Sequence, residues 1–260
     1  MKGQLLLLGL LACGTVHAEI QTRQISYQAD GATMSGYLAW DDALEGKRPG
    51  VLVVHEWWGH NDYAQRRARD LAKLGYVGFA LDMYGDGKLA EHPDDAGKFM
   101  QAVVSNFDGM KARFEAAQQQ LLKQDSVDPD RVAAIGYCFG GGVVLNMARA
   151  GAPLKGVVSF HGSLGPVGGP AESVKVPILA MNGAADPFVK PEAIEAFRKE
   201  MDAAGADYTF VNFPDVMHSF TNPGATAVGE KFGLPLKYDA DADAASWKAM
   251  QEFLDRVFTD

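Results

Sequence analysis

Short apolar runs alternate with longer amphipathic stretches along most of this chain. Residues 22–28 and 33–40 flank Asp30-Gly31 and mix polar with apolar positions, which predicts two strands joined by a tight hairpin turn. Gly50-Val51-Leu52-Val53-Val54-His55 is an unbroken apolar run rich in β-branched residues, the mark of a strand buried on both faces. Asn61 then caps a helix carried to about Leu74 by apolar positions at Ala64, Ala68, Leu71 and Leu74, and Gly75 stops it. Further strands are predicted over 76–81, 131–137, 155–160, 176–181 and 208–213, with helices over 95–123, 139–150, 191–204 and 241–258.

Strands alternating with helices imply an α/β fold: a mostly parallel central sheet of about eight strands with helices on both faces. No linker, repeat or low-complexity tract interrupts the pattern, so residues 19–260 read as a single domain. In such sheets ligands bind beyond the carboxyl ends of the strands. The chemistry is therefore sought in the loops that follow each strand.

The first eighteen residues follow another rule. Lys2 precedes the apolar run Leu5 to Ala12, and small residues lead to Val16-His17-Ala18. This is the pattern of a signal peptide cleaved after Ala18, giving a periplasmic or secreted protein. The apolar run is too short for a membrane span, which needs roughly 20 residues, and no later segment is long enough. Leu10-Leu11-Ala12-Cys13 offers a competing reading, a lipoprotein anchored at Cys13, although Leu11 fits that box poorly. Loss of the leader leaves Cys138 as the only cysteine. Exported proteins usually use cysteines in pairs, so a lone thiol calls for a chemical explanation.

Composition narrows the function classes. Hydrophobic residues make up 47% and charged residues 22%, which excludes intrinsic disorder. The formal charge of −9 repels phosphate backbones, so no nucleic-acid partner is expected.

Gly136-Tyr137-Cys138-Phe139-Gly140 ends one predicted strand and opens a helix. It has the form of the G-x-S-x-G nucleophile elbow with cysteine in place of serine. A sharp strand-to-helix turn forces the central residue into a strained conformation and leaves no room for flanking side chains. The helix N-terminus favours negative charge on the projecting thiol. The backbone N–H of Phe139 points where an oxyanion would form. A glycine-flanked cysteine can also be a mere packing residue, but the flanking strand and helix and the missing disulfide partner favour a nucleophile.

An elbow nucleophile is followed along the chain by an acid and then a histidine. Asp186 lies in the loop after the strand 176–181, and His218 in the loop after 208–213. His218 would hold the thiol proton, and Asp186 would fix its tautomer. Asp215 is a second-ranked acid, only three residues from His218.

His55-Glu56-Trp57-Trp58-Gly59-His60 approximates the zinc motif H-E-x-x-H but fails it. The second histidine is five residues on, and the segment follows a strand instead of lying on a helix, so no metal is expected. The loop after the third strand supplies a second oxyanion donor in this architecture, here the Trp57 N–H. Glu56 would lie close to Cys138, where a carboxylate can accept a thiol proton, or it is a strand-end acid held in a salt bridge. Tyr84, Trp58, His161 and Phe220, all beyond strand ends, are the candidate pocket residues.

Taken together, these segments resemble the dienelactone hydrolase family of α/β-hydrolases. The matching pieces are Val53 to Gly59, Leu81-Asp82-Met83-Tyr84, Gly136 to Gly141, Gly183 to Val189 and His218-Ser219-Phe220. The resemblance implies a Cys138–His218–Asp186 triad, with Glu56 taking the thiol proton when substrate binds. It implies hydrolysis of a small-molecule ester, lactone or thioester without a cofactor, and a monomer is favoured. Dienelactone hydrolases hold a substrate carboxylate with arginines just after the tyrosine motif and just after His-Ser-Phe. Here those places read Gly85-Asp86-Gly87 and Thr221-Asn222-Pro223, with Lys88 as the only nearby substitute. The resemblance therefore carries to the chemistry and not to the substrate. The rival class is a non-catalytic relative that binds a ligand or partner, which has no need of all three triad groups. A redox-sensing thiol would need a resolving cysteine, and the mature chain has none.

The leader makes a direct prediction. Intact-mass analysis of the exported protein should give a chain beginning at Glu19. A diacylglycerol adduct on Cys13 would establish the lipoprotein reading instead.

Overall fold

Eight strands form one sheet in the order β1-β2-β4-β3-β5-β6-β7-β8. The computed structural model describes residues 19–259, and the expected leader, 1–18, lies outside the described residues. β1 (Ile20–Ala29) and β2 (Ala32–Asp41) pair antiparallel across Asp30-Gly31. Both turn residues have positive φ, 49° and 73°, as a two-residue hairpin turn that matches the strand twist demands. β2 joins β4 (Val77–Leu81) antiparallel, and every later pairing is parallel.

The centre of the sheet is β3 (Arg48–Val54), paired with β4 on one side and β5 (Val127–Tyr137) on the other. The chain leaves β3 for one neighbour and later returns to the other side, so the topological switch point lies beyond the carboxyl ends of β3 and β5. Val54 pairs with Gly136 in that register, which brings the segments starting at His55 and at Tyr137 to the same crevice. The sheet continues through β6 (Val157–Phe160), β7 (Ile178–Gly183) and β8 (Tyr208–Phe213).

Burial follows the two-residue period of a strand covered on both faces. Leu52 and Val54 pack in one core with Phe79, Phe114 and Val144, whereas Val51 and Val53 pack in the other with Ala68, Leu71 and Leu254. Helices α3 (Phe107–Leu122), α4 (Phe139–Arg149) and α5 (Pro191–Ala203) supply side chains to the first core. Helices α1 (Asp62–Lys73) and α7 (Ala240–Thr259) supply the second. Asn61 caps α1 as expected, its side chain accepting from the backbone N–H groups of Tyr63 and Ala64.

Two elements differ from the sequence reading. The single helix expected over 95–123 is two helices, α2 (Pro93–Val104) and α3, because the Asn106 side chain accepts from Gly109 N–H and starts the second afresh. The short helix α6 (Ala225–Phe232) was not anticipated; it follows the His218 loop and ends at Gly233, whose φ of 67° stops it. Among the described residues no helix is long and apolar enough to cross a membrane.

The break between α2 and α3 rests on one cap. Asn106→Ala should lower stability by about 1 kcal/mol, and Asn106→Asp should restore most of it. Chemical denaturation read as a midpoint shift at constant slope is the check.

Candidate active site

Cys138 stands between β5 and α4 with φ 53° and ψ −115°, a conformation that side-chain-bearing residues rarely adopt and that costs about 1–3 kcal/mol. Its neighbours show why the motif needs glycine. A Cβ on Gly136 would lie 2.1 Å from the Gly140 carbonyl oxygen, and one on Gly140 would lie 2.3 Å from the Val54 carbonyl oxygen. The turn is held from below. Cys138 N–H is shared between the Phe160 carbonyl at 3.0 Å and His161 Nδ1 at 3.1 Å, and Gly140 N–H donates to the His55 carbonyl at 3.1 Å.

The loops after β7 and β8 bring Asp186 and His218 to this thiol. His218 Nδ1 donates to Asp186 Oδ2 at 2.6 Å, and both residues are buried. The Phe188 N–H donates to Asp186 Oδ1 at 2.8 Å, so the carboxylate is oriented through both oxygens. That bond leaves the other ring nitrogen of His218 available on the side of the cavity that the ring shares with Cys138. Burial resists a charge on His218. The charge on Cys138, the hydrogen bonds to Asp186 and to the thiol, and the Asp186 charge outweigh it and carry the ring's pKa up to about 10. Asp215, the second-ranked acid, is exposed and makes no bond to His218.

Trp57 and Phe139 face the same cavity as Cys138 and His218. Among the described residues neither backbone N–H donates a hydrogen bond, and Phe139 is the first residue of α4, where no intrahelical acceptor exists. The Tyr84 hydroxyl donates to the Trp57 carbonyl at 2.9 Å and steadies that peptide. The cavity holds about 270 Å³. Its apolar walls are Trp57, Met100, Phe139, Phe188, Val189 and Leu236, and its polar groups are Cys138, Ser163 and His218.

Glu56 is buried just behind Trp57, but its hydrogen bonds go elsewhere. Ser219 Oγ donates to one carboxylate oxygen at 3.0 Å and Asn222 Nδ2 to the other at 2.6 Å. It borders a second cavity, with Trp58 and Asn222, instead of the one that holds the thiol. Burial raises the pKa of Glu56, against the pull of Asn222, Ser219, His218 and Arg67.

The expected pocket residues separate on the same grounds. Trp58 lines the second cavity, and Tyr84 lies buried beneath Trp57. His161 and Phe220 are fully buried and line neither cavity. His161 is occupied structurally: its Nδ1 accepts from Cys138 N–H, so Nε2 donates to Thr221 Oγ1 at 2.8 Å. Its ring stays neutral, because burial and the charges of His218 and Arg67 push its pKa far below the usual value. Thr221 continues to the Tyr63 hydroxyl at 2.7 Å, and Arg67 donates to both Tyr63 and the Thr221 carbonyl. Thr221, Tyr63 and Arg67 were not anticipated. The available signal was a charged residue, Arg67, set among the apolar positions of α1. Met100, Ser163, Val189 and Leu236 were also missed, and they share no motif. Asp86 and Lys88 pair with each other on the surface at 3.4 Å, away from the cavity.

Comparison with known proteins places this arrangement in context. The profile of the dienelactone hydrolase family matches residues 34–258. Protein usf of Aquifex pyrophilus is 31% identical over 207 residues, covering 77% of this chain and 87% of its own. A dienelactone hydrolase-like promiscuous phosphotriesterase from metagenomic libraries is 36% identical with a TM-score of 0.87, over 93% of this chain and 100% of its own. A structure named m3DLH is 38% identical with a TM-score of 0.85, over 92% and 99%.

The charge on the thiol is the largest influence raising His218. In Cys138→Ala the imidazole should therefore titrate well below the value of about 10 held in the parent protein. An NMR pH titration of the ring reads this directly, and an unchanged titration would remove the thiol as its partner.

Proposed function

This chain belongs to the dienelactone hydrolase family, hydrolases of ester or lactone bonds, and we propose that it works through an acyl-enzyme formed on Cys138. The observation that carries this reading is the hydrogen bond between Asp186 and His218, with the His218 ring and the Cys138 thiol lining one cavity. The sulfur attacks the substrate carbonyl carbon, and the carbonyl π electrons move to oxygen. Trp57 and Phe139 line the same cavity with unpaired backbone N–H groups, and these would receive that oxyanion. As the tetrahedral intermediate collapses, the bond to the alkoxide breaks and the His218 imidazolium protonates the leaving oxygen. A water then gives a proton to His218 and attacks the thioester, and the thiolate leaves. Asp186 stays ionised throughout and holds the ring orientation. The hydrogen bonds of Glu56 favour a different role from proton acceptor: it ties the loop bearing Trp57 to the loop bearing His218. Export to the periplasm or beyond is part of the proposal and rests on the leader sequence alone.

A purely binding relative would have no use for a strained cysteine, an oriented histidine and two residues with free backbone donors around one cavity. The test is mutational. Cys138→Ala and His218→Ala should each lower kcat by several orders of magnitude, and the double variant by little more, because the groups act as a unit. Mass spectrometry under a slow ester should trap an acyl adduct on Cys138. Full turnover in Cys138→Ala would end the proposal.

A further inference from the structure

We infer that the substrate carries no charge and presents an apolar, preferably aromatic, group to Phe188. This rests on the reading of Cys138 as nucleophile and names what that nucleophile meets. The cavity beside the thiol is walled by hydrocarbon and aromatic rings, and no charged side chain other than the His218 pair faces it. Three cations that touch or follow the loops of the site are engaged elsewhere. Arg67 is buried against Asp243 and the Thr221 carbonyl, Arg113 pairs with Asp30, and Lys88 pairs with Asp86. Lys231 borders the neighbouring cavity and lies over the Phe232 ring. Of the buried acids, Asp186 is bonded to the cavity-lining His218 and Glu56 precedes the cavity-lining Trp57. A substrate carboxylate entering here would lose its water and find acids and apolar walls in exchange.

Phe188 supplies the positive half of the selection. It is 58% exposed, one of few large apolar side chains so placed among the described residues, and it lines the cavity of Cys138. Its ring meets the His218 ring edge-on, with centroids 5.0 Å apart and planes at 84°. Its backbone N–H is fixed on Asp186, so the ring sits on a loop anchored to the catalytic acid. More than half of the side chain is left to solvent, where the flat group of a bound substrate would cover it. At about 270 Å³ the cavity is at the small end of ligand sites, which suits a single ring or a short branched chain beside the scissile carbonyl.

The experiment compares kcat/KM for four 4-nitrophenyl esters on the mature protein: the acetate, the 3-phenylpropanoate, the hydrogen succinate and its neutral methyl ester. The methyl succinate should exceed the anionic succinate by about tenfold or more, and the 3-phenylpropanoate should exceed the acetate. Phe188→Ala should lower kcat/KM for the 3-phenylpropanoate several-fold more than for the acetate, mainly through KM. Equal or better turnover of the anionic succinate overturns the inference, and so does an equal effect of Phe188→Ala on both neutral esters. No turnover of any ester would instead overturn the reading of Cys138 on which this depends.

Discussion

The backbone at Cys138 is the constraint from which the rest of the site follows. A residue with a side chain is held at positive φ where β5 turns into α4, and only packing can hold it there. The hold comes from the central strands. Gly140 lies so close to the end of β3 that its N–H donates to the His55 carbonyl and its missing Cβ is filled by Val54. Hence the thiol, the free N–H of Phe139 and the Trp57 loop share one crevice because β3 and β5 are neighbours in register. The parallel order of the strands then decides which loops can reach that crevice, and those after β7 and β8 bring Asp186 and His218.

Beneath the elbow a second set of bonds links the backbone of Cys138 to the loop that carries His218. His161 holds the Cys138 N–H with one nitrogen and Thr221 with the other, and Thr221 lies three residues beyond His218. The histidine can do both only while neutral, with Nδ1 as acceptor and Nε2 as donor, and its complete burial keeps it so. Arg67 brings a charge into this region, but Asp243, the Thr221 carbonyl and Tyr63 take its donors, while Trp247 and Tyr137 cover its faces. A buried charge with partners this complete braces one arrangement of the loops, since any other would leave it unpaired. The polar network is thus a support for geometry, distinct from the apolar cavity in which a substrate would sit.

What could be read from the sequence was whatever local sterics dictate. The elbow is legible because Gly136 answers a clash with Gly140 inside the same five residues, although the clash that Gly140 answers is with Val54 of the neighbouring strand. The hairpin at Asp30-Gly31 and the cap at Asn61 are legible for the same reason. Asp186 and His218 could be placed because strand ends are visible in apolar periodicity and parallel strands put their ends together. The break between α2 and α3 was hidden, since apolar periodicity runs past Ser105 and only one side-chain hydrogen bond interrupts it. His161 was placed in the pocket because position beyond a strand end says nothing about which way a ring turns. The cavity walls were out of reach altogether: Met100, Val189 and Leu236 come from three distant segments and meet only in the folded chain.

Glu56 connects these observations. By resemblance its place belongs to a proton acceptor, and the loop after His218 is where an arginine was to be expected. Here Asn222 stands in that loop and donates to Glu56, with Ser219 on the other oxygen. A neutral amide satisfies the hydrogen-bonding capacity of a carboxylate but brings no formal charge, which is why burial still wins and the pKa of Glu56 rises. A guanidinium in the same place would have supplied both a charge for Glu56 and a fork for an anionic substrate. Its absence leaves the acid to brace two loops, and the cation that borders the neighbouring cavity is Lys231, set over the Phe232 ring. The inward hydrogen bonding of Glu56 therefore follows from Asn222 in the loop that carries His218, whereas the uncharged walls around Cys138 are built by Met100, Val189 and Leu236 from other segments.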